Sequence, residues 1–278
     1  MDHEYRLLID GELVPGVSAF DVVNPATGAA FASAPKADEA MLERAVAAAK
    51  RAQPAWSALP VEERAALVNK LADALEARIG EFASLLTAEQ GKPLDQAGYE
   101  IMGSVFTLRG FAAMRIEPKV LKDEGGNRVV EHRTPLGVVA SITPWNFPVI
   151  LLMNKLGPAL MTGNTMIAKP APTTPLTTLL FGELAQAILP PGVFNIVCDQ
   201  NELGALITGH PDIAKVAFTG STATGKKVMA SSASTVKRVT LELGGNDAAI
   251  VMDDVDAKQA AKKVYQGAMT NAGQICVA

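Results

Sequence analysis

Near the end of this 278-residue chain, Asn271-Ala272-Gly273-Gln274-Ile275-Cys276 puts a cysteine in a glycine-containing turn, after a predicted helix over 257–269. A thiol in such a turn can be exposed and reactive, whereas a lone cysteine is ordinarily an inert small core residue. Thr143-Pro144-Trp145-Asn146-Phe147-Pro148 sets a side-chain amide in a turn stiffened by two prolines, directly after a predicted strand. That amide can donate to a developing oxyanion or bond its own turn. Leu241-Glu242-Leu243-Gly244-Gly245 ends another strand with a carboxylate between leucines. Apolar surroundings would raise its pKa towards that of a general base, and a solvated or salt-bridged glutamate is the plainer alternative. Lys169, in Ala168-Lys169-Pro170-Ala171-Pro172, also ends a strand, where α/β folds place ligand contacts, unless it is a solvated surface lysine. The segment from Phe218 through Thr219, Gly220, Ser221 and Thr224 to Gly225 and Lys226 leaves a strand and opens a helix. Backbone N–H groups and the helix dipole would there face an anion such as a phosphate. The segment falls short of the phosphate loop of ATPases and GTPases, because Lys227 stands where Ser or Thr must hold magnesium. Cys198 ends the apolar run from Val193 and reads as inert.

These groups need a frame. From Val61 to Gln90 the residues Val68, Leu71, Leu75, Ile79, Phe82 and Leu86 recur at steps of three and four, which predicts one long amphipathic helix stopped by Gly91 and Pro93. A shorter helix is predicted over 38–51. After Leu136, β-branched runs at 138–142, 165–168, 193–197, 216–218 and 239–241 alternate with helical stretches. That alternation predicts an α/β fold, a doubly wound and largely parallel sheet covered on both faces. Between Glu117 and His132, Gly125-Gly126-Asn127 separates two extended candidates and predicts a projecting β-hairpin.

Composition narrows the function classes. At 49% hydrophobic and 19% charged residues the chain is globular rather than disordered. Its 25 Lys and Arg against 29 Asp and Glu give a net charge of −4, with no basic footprint for a nucleic-acid partner. The uncharged run from Thr134 to Asn154 is long enough to raise a membrane span, but Pro144, Asn146 and Pro148 would break it, so it reads as strand, loop and helix start. The first residues, Met1-Asp2-His3-Glu4, do not read as an export signal. Two cysteines are too few for a disulfide framework and point to a reducing cytoplasm; His3, His132 and His210 are scattered, and no metal is expected.

Taken together and in order, TPWNFP, the Lys-Pro turn, FTGSTATG, ELGG and GQIC resemble the NAD(P)-dependent aldehyde dehydrogenase superfamily over essentially the whole chain. The resemblance implies a Cys276 thiolate that attacks a small-molecule aldehyde. The oxyanion of the resulting thiohemiacetal would be held by the Asn146 amide and the cysteine's own N–H. Hydride would pass to NAD or NADP, and Glu242 would activate water to release a carboxylic acid. Lys155 would support the site around Asn146. The cofactor would lie against Ile142, Thr143, Pro144, Trp145, Lys169, Pro172, Gly220, Ser221, Gly225, Leu243 and Gly244, with Ser221 at the pyrophosphate and Lys169 at the adenosine ribose. Pro172 occupies the position where NAD-preferring relatives commonly carry a glutamate, so NADP is expected to be tolerated or preferred. The implied organisation is a nucleotide-binding domain in two parts, 1–117 and 136–245. An oligomerisation hairpin over 118–135 interrupts it, pairing with another subunit of a homo-oligomer, and the start of a catalytic domain follows over 246–278. Family members continue well beyond the cysteine, so the chain is expected to be incomplete. Two other readings stay open, a nucleotide-binding or interaction module without turnover and a phosphate-loop NTPase.

Overall fold

The computed structural model describes residues 3–277, and Met1, Asp2 and Ala278 lie outside the described residues. The chain opens with β1 (Leu7–Ile9) and β2 (Glu12–Val14), then the antiparallel pair β3 (Ser18–Asn24) and β4 (Ala29–Lys36). Helices α1 (Glu39–Ala58), α2 (Val61–Glu76), α3 (Ile79–Gln90) and α4 (Leu94–Ala113) follow. The predicted hairpin is β5 (Lys119–Glu124) with β6 (Asn127–Glu131), turning on Gly125 and Gly126. Strands and helices then alternate: β7 (Val138–Ile142), α5 (Pro148–Met161), β8 (Thr165–Lys169), α6 (Leu176–Ile188), β9 (Phe194–Ile196), α7 (Leu203–Gly209), β10 (Ile213–Gly220), α8 (Thr222–Ala233) and β11 (Arg238–Leu243). After them come α9 (Ala257–Ala268) and a short 3-10 turn over Thr270–Gly273.

The main sheet has seven strands in the order β11-β10-β7-β8-β9-β1-β2. From β11 to β9 every pair is parallel, and β1 joins β9 antiparallel at the far side. β8 and β9 are buried along their whole length and β7 nearly so, as expected of strands covered on both faces. At β11 that expectation fails, because exposed and half-buried residues alternate along the strand and leave one face open. One apolar core joins the sheet to the helices, with Trp56, Phe82 and Phe181 among the largest fully buried side chains. No helix of the described residues is long and apolar enough to cross a membrane.

The helix predicted from Val61 to Gln90 is two helices. Arg78 leaves helical geometry at φ −117° and ψ 21°, and its guanidinium turns to Glu81 at 2.7 Å. The apolar step continues across the break because both helices bury the same side in the core, so periodicity alone does not reveal it. Gly91 ends α3 in the left-handed conformation at φ 91°, where a side chain would be strained. α1 starts at the predicted cap, with Asp38 accepting from the Met41 N–H at 2.9 Å, but it runs past Arg51 and through Pro54 to Ala58. The four N-terminal strands were not anticipated.

Two helices borrow their N-terminal caps from other helices. Neither α5 nor α6 has a capping side chain of its own. Glu100 of α4 accepts from the Val149 and Ile150 N–H groups at 2.9 and 3.3 Å, and Glu89 of α3 accepts from Leu176 N–H at 2.7 Å and Thr177 N–H at 3.1 Å. The Thr177 hydroxyl also donates to Glu89, at 2.5 Å. Burial pushes the Glu89 carboxyl up from 4.5 to about 7, against the downward pull of those three donors. The folded state therefore binds a proton that the unfolded state has released between pH 4.5 and 7. That stabilisation is complete below pH 4.5 and is lost as pH rises through 7, a change of about 3 kcal/mol. Melting temperature measured from pH 5 to 8 should fall more steeply for the natural chain than for Glu89→Gln; parallel curves would show that Glu89 does not titrate in this window.

Candidate active site at the carboxyl edge of the sheet

From β7 the chain builds outward through β8 and β9, then returns to the other side of β7 at β10. Connections leave in opposite directions there, and the carboxyl ends of the two strands open a crevice. Ile142 pairs with both Lys169 and Phe218, and Thr219 pairs with Glu242, so these groups line one edge.

Past the end of β7, Asn146 faces the cysteine turn. Its Nδ2 donates to the Gln274 carbonyl at 2.9 Å, and its own carbonyl accepts from Asn271 Nδ2 at 3.0 Å and from Lys92 Nζ at 2.8 Å. Lys92 also pairs with Glu100, and both side chains are completely buried. Asn271 donates a second time to the Gln274 carbonyl at 3.1 Å, and its N–H donates to Gln96 Oε1 at 2.8 Å. Gln90 Nε2 donates to Gln274 Oε1 at 3.3 Å. Cys276 is half-buried on this turn, and a Cβ built on Gly245 would lie 3.3 Å from the Cys276 carbonyl oxygen, so the ELGG and GQIC segments touch. Cys198 is buried, and burial drives its thiol far above the ordinary range.

Lys155, on α5, donates to Thr219 Oγ1 at 2.6 Å and to the Leu151 carbonyl at 3.3 Å. Burial lowers its ammonium to about 8, while the charges of Glu242 and Cys276 act in the opposite sense. Both groups are thus within electrostatic reach of Lys155. Glu242 is exposed at the end of β11 rather than enclosed by apolar groups; its flanking leucines point to the other side of the open edge strand.

On the nucleotide side, Ser221 caps α8, its Oγ accepting from the Thr224 N–H at 3.2 Å. A Cβ on Gly225 would come within 2.7 Å of Leu243 Cδ2, and one on Gly220 within 2.6 Å of the Phe218 ring. A side chain at either position would displace Leu243 or Phe218, whose strands end at the crevice beside the exposed first turn of α8. The residues fit a nucleotide pyrophosphate. Lys169 is not a solvated surface lysine: it is 3% exposed and pairs with Asp199 at 2.6 Å, while Asp199 also accepts from the Leu203 N–H at the start of α7. The N–H of Thr143 donates to the Lys169 carbonyl at 3.1 Å. Thr143 is buried, Ile142, Pro144 and Pro172 are half-buried, and Trp145 and Gly244 are exposed.

Sequence reasoning missed Lys92, Glu100, Asn271 and Asp199 as parts of this site. Glu100 carried a usable signal, since it interrupts the apolar stripe Ala97, Ile101, Val105, Leu108 on the buried face of α4. A charge in such a stripe requires a partner.

A family model described as the aldehyde dehydrogenase family matches residues 14–278. Lactaldehyde dehydrogenase of Escherichia coli is 38% identical over 280 residues, covering 98% of this chain and 58% of the relative. The crystal structure of an E. coli NADP dependent enzyme superposes with a TM-score of 0.95 at 40% identity, covering 99% of this chain and 58% of that one. The NAD+ complex of aldehyde dehydrogenase from Bacillus cereus gives 0.96 at 39% identity, covering 100% and 58%. The chain therefore spans a little over half the length of the relatives it matches, and the phosphate-loop NTPase reading is set aside. Matched by that family model over residues 14–278 and similar along nearly its whole length to these proteins, the chain belongs to the aldehyde dehydrogenase family.

Proposed function

We propose that the protein carrying this chain oxidises an aldehyde to a carboxylic acid, with NAD or NADP as hydride acceptor and Cys276 as nucleophile. The observation that carries this reading is the meeting of the Cys276 turn with Asn146 at the crevice. The Cys276 thiolate adds to the carbonyl carbon, and the carbonyl oxygen becomes an oxyanion. One Asn146 N–H is engaged by Gln274, and the other, with the Cys276 backbone N–H, serves as oxyanion donor. Ser221 and the α8 N-terminus would hold the pyrophosphate and Lys169 the adenosine ribose, with Ile142, Thr143, Pro144, Trp145, Leu243 and Gly244 along the crevice. The nicotinamide, when bound, supplies the hydride acceptor. The thiohemiacetal carbon of the Cys276 adduct gives up its hydride and becomes a thioester. Glu242, exposed to water, then takes a proton as water attacks the acyl carbon, the C–S bond breaks to release the acid, and the proton returns to the thiolate.

In the same reading, residues 1–117 and 136–245 form the nucleotide-binding domain and 246–278 begin the catalytic domain of a cytoplasmic enzyme. The β5–β6 hairpin, whose Val120, Leu121 and Val129 are exposed, pairs with a second subunit of a homo-oligomer. Pro172 brings no carboxylate to the adenosine ribose, so nothing at that position repels a 2′-phosphate.

In the full-length protein, Cys276→Ala should abolish aldehyde-dependent appearance of the reduced nicotinamide, and unchanged turnover would refute the nucleophile. Calorimetric titration with the two cofactors should give NADP a dissociation constant no more than about ten times that of NAD, the factor worth about 1.4 kcal/mol. A weaker NADP would overturn the reading of Pro172.

A further inference from the structure

We propose that the buried Lys92–Glu100 ion pair is the positioning device of the oxyanion donor, gripping the Asn146 turn from both sides. The inference rests on the reading of Asn146 as that donor. Lys92 Nζ donates to the Asn146 carbonyl at 2.8 Å and lies 4.0 Å from the centre of the Phe147 ring, a cation–π contact out of water. Glu100 divides its oxygens: Oε2 takes Lys92, and Oε1 takes the N–H groups of Val149 and Ile150. Of the five residues from 146 to 150, the pair thus holds all but Pro148, which has no N–H to offer.

Anchoring the Asn146 carbonyl fixes the plane of the peptide that follows it and, with it, the direction in which the Asn146 side chain leaves the backbone. Asn271 donates to the same carbonyl and to Gln274, so the fixed plane is also tied to the turn bearing Cys276. Lys92 is itself well placed to act as an anchor, standing between the left-handed end of α3 at Gly91 and the fixed φ of Pro93. An ion pair with both side chains fully buried is seldom worth more to stability than apolar residues of the same volume. What apolar residues would not supply here is the donor for the Asn146 carbonyl and the acceptor for two N–H groups of the same turn.

Because Lys92 and Glu100 act through Asn146, they are positioning residues, and a double-mutant cycle in the full-length protein tests them. Lys92→Met should lower kcat about tenfold to a hundredfold, the scale expected of a displaced reacting group, and leave the cofactor dissociation constant unchanged. Lys92→Arg should restore part of the loss. Asn146→Ala should lower kcat by about a hundredfold or more. In that background Lys92→Met should have almost no further effect. Equal losses in both backgrounds, or no loss in the natural one, would overturn the positioning role while leaving Asn146 as donor. Near-natural turnover by Asn146→Ala alone would instead overturn the oxyanion reading, and the proposal with it. Should Lys92→Met fail to melt cooperatively, Glu100→Gln, which keeps an acceptor for the α5 N–H groups but removes the charge, is carried through the same cycle. The expected result is a smaller loss that again vanishes beside Asn146→Ala, and a loss that persists there overturns the proposal.

Discussion

A parallel sheet whose chain order reverses has one place where consecutive connections part, and the chemistry of this chain is arranged around that place between β7 and β10. Register does the rest. Lys169, Ile142, Thr219 and Glu242 come from four adjacent strands and end at nearly the same level, so about 14 Å of sheet edge separates the buried lysine from the exposed glutamate. A one-residue slip in β10 would turn Thr219 away from Lys155, since successive side chains face opposite sides of the sheet. The buried apolar strands β7, β8 and β9 hold that register and so locate every group at the rim.

Buried ionisable side chains are the second organising feature. Glu89, Glu100, Lys92, Lys169 and Asp199 are all nearly inaccessible, yet each has its hydrogen bonds or its opposite charge in place. Three of them, Glu89, Glu100 and Asp199, accept from N–H groups at the starts of α6, α5 and α7. Two of those helices, α5 and α6, follow the strands β7 and β8 whose ends form part of the rim. A carboxylate at a helix N-terminus meets both unsatisfied donors and the positive end of the dipole, which offsets part of the cost of taking it out of water. The same contacts tie α4 to the start of α5 and α3 to the start of α6, so a change in one of these side chains would be felt at those helix starts.

Much of this was legible in the sequence because parallel strands buried on both faces must be written as short β-branched runs, and the five such runs after Leu136 are the five parallel strands. The cysteine turn, the asparagine turn and the glycine-rich opening of α8 were legible for a local reason, as each rests on residue types that special turns require. What could not be read depended on distant partners. Strands of three residues, such as β1 and β2, are too short to establish a period. The break at Arg78 leaves the apolar step intact. Lys92 and Asp199 look like surface charges until their partners, eight and thirty residues away, are placed beside them. The surroundings of Glu242 follow from the open face of β11, which the run Val239-Thr240-Leu241 does not disclose.

The turn that carries Cys276 is held by hydrogen bonds to segments distant in the chain. α9, which leads into it, buries no residue among those described. Asn271 and Ala272 both take left-handed backbone angles, at φ 53° and 56°, and for Ala272 this costs roughly 1 kcal/mol. Against that stand the hydrogen bonds to Gln96, Asn146 and Gln90, each contributing about 0.5–1.5 kcal/mol. The balance is favourable by only a few such bonds, and every partner belongs to the end of α3, the start of α4 or the turn after β7. Among the described residues, these hydrogen bonds tie the Cys276 turn to the α3–α4 junction and to the turn after β7. Asn146 and the Cys276 turn are both bonded to the α3–α4 junction, through Lys92, Gln90 and Gln96, so a displacement of that junction would be felt at both.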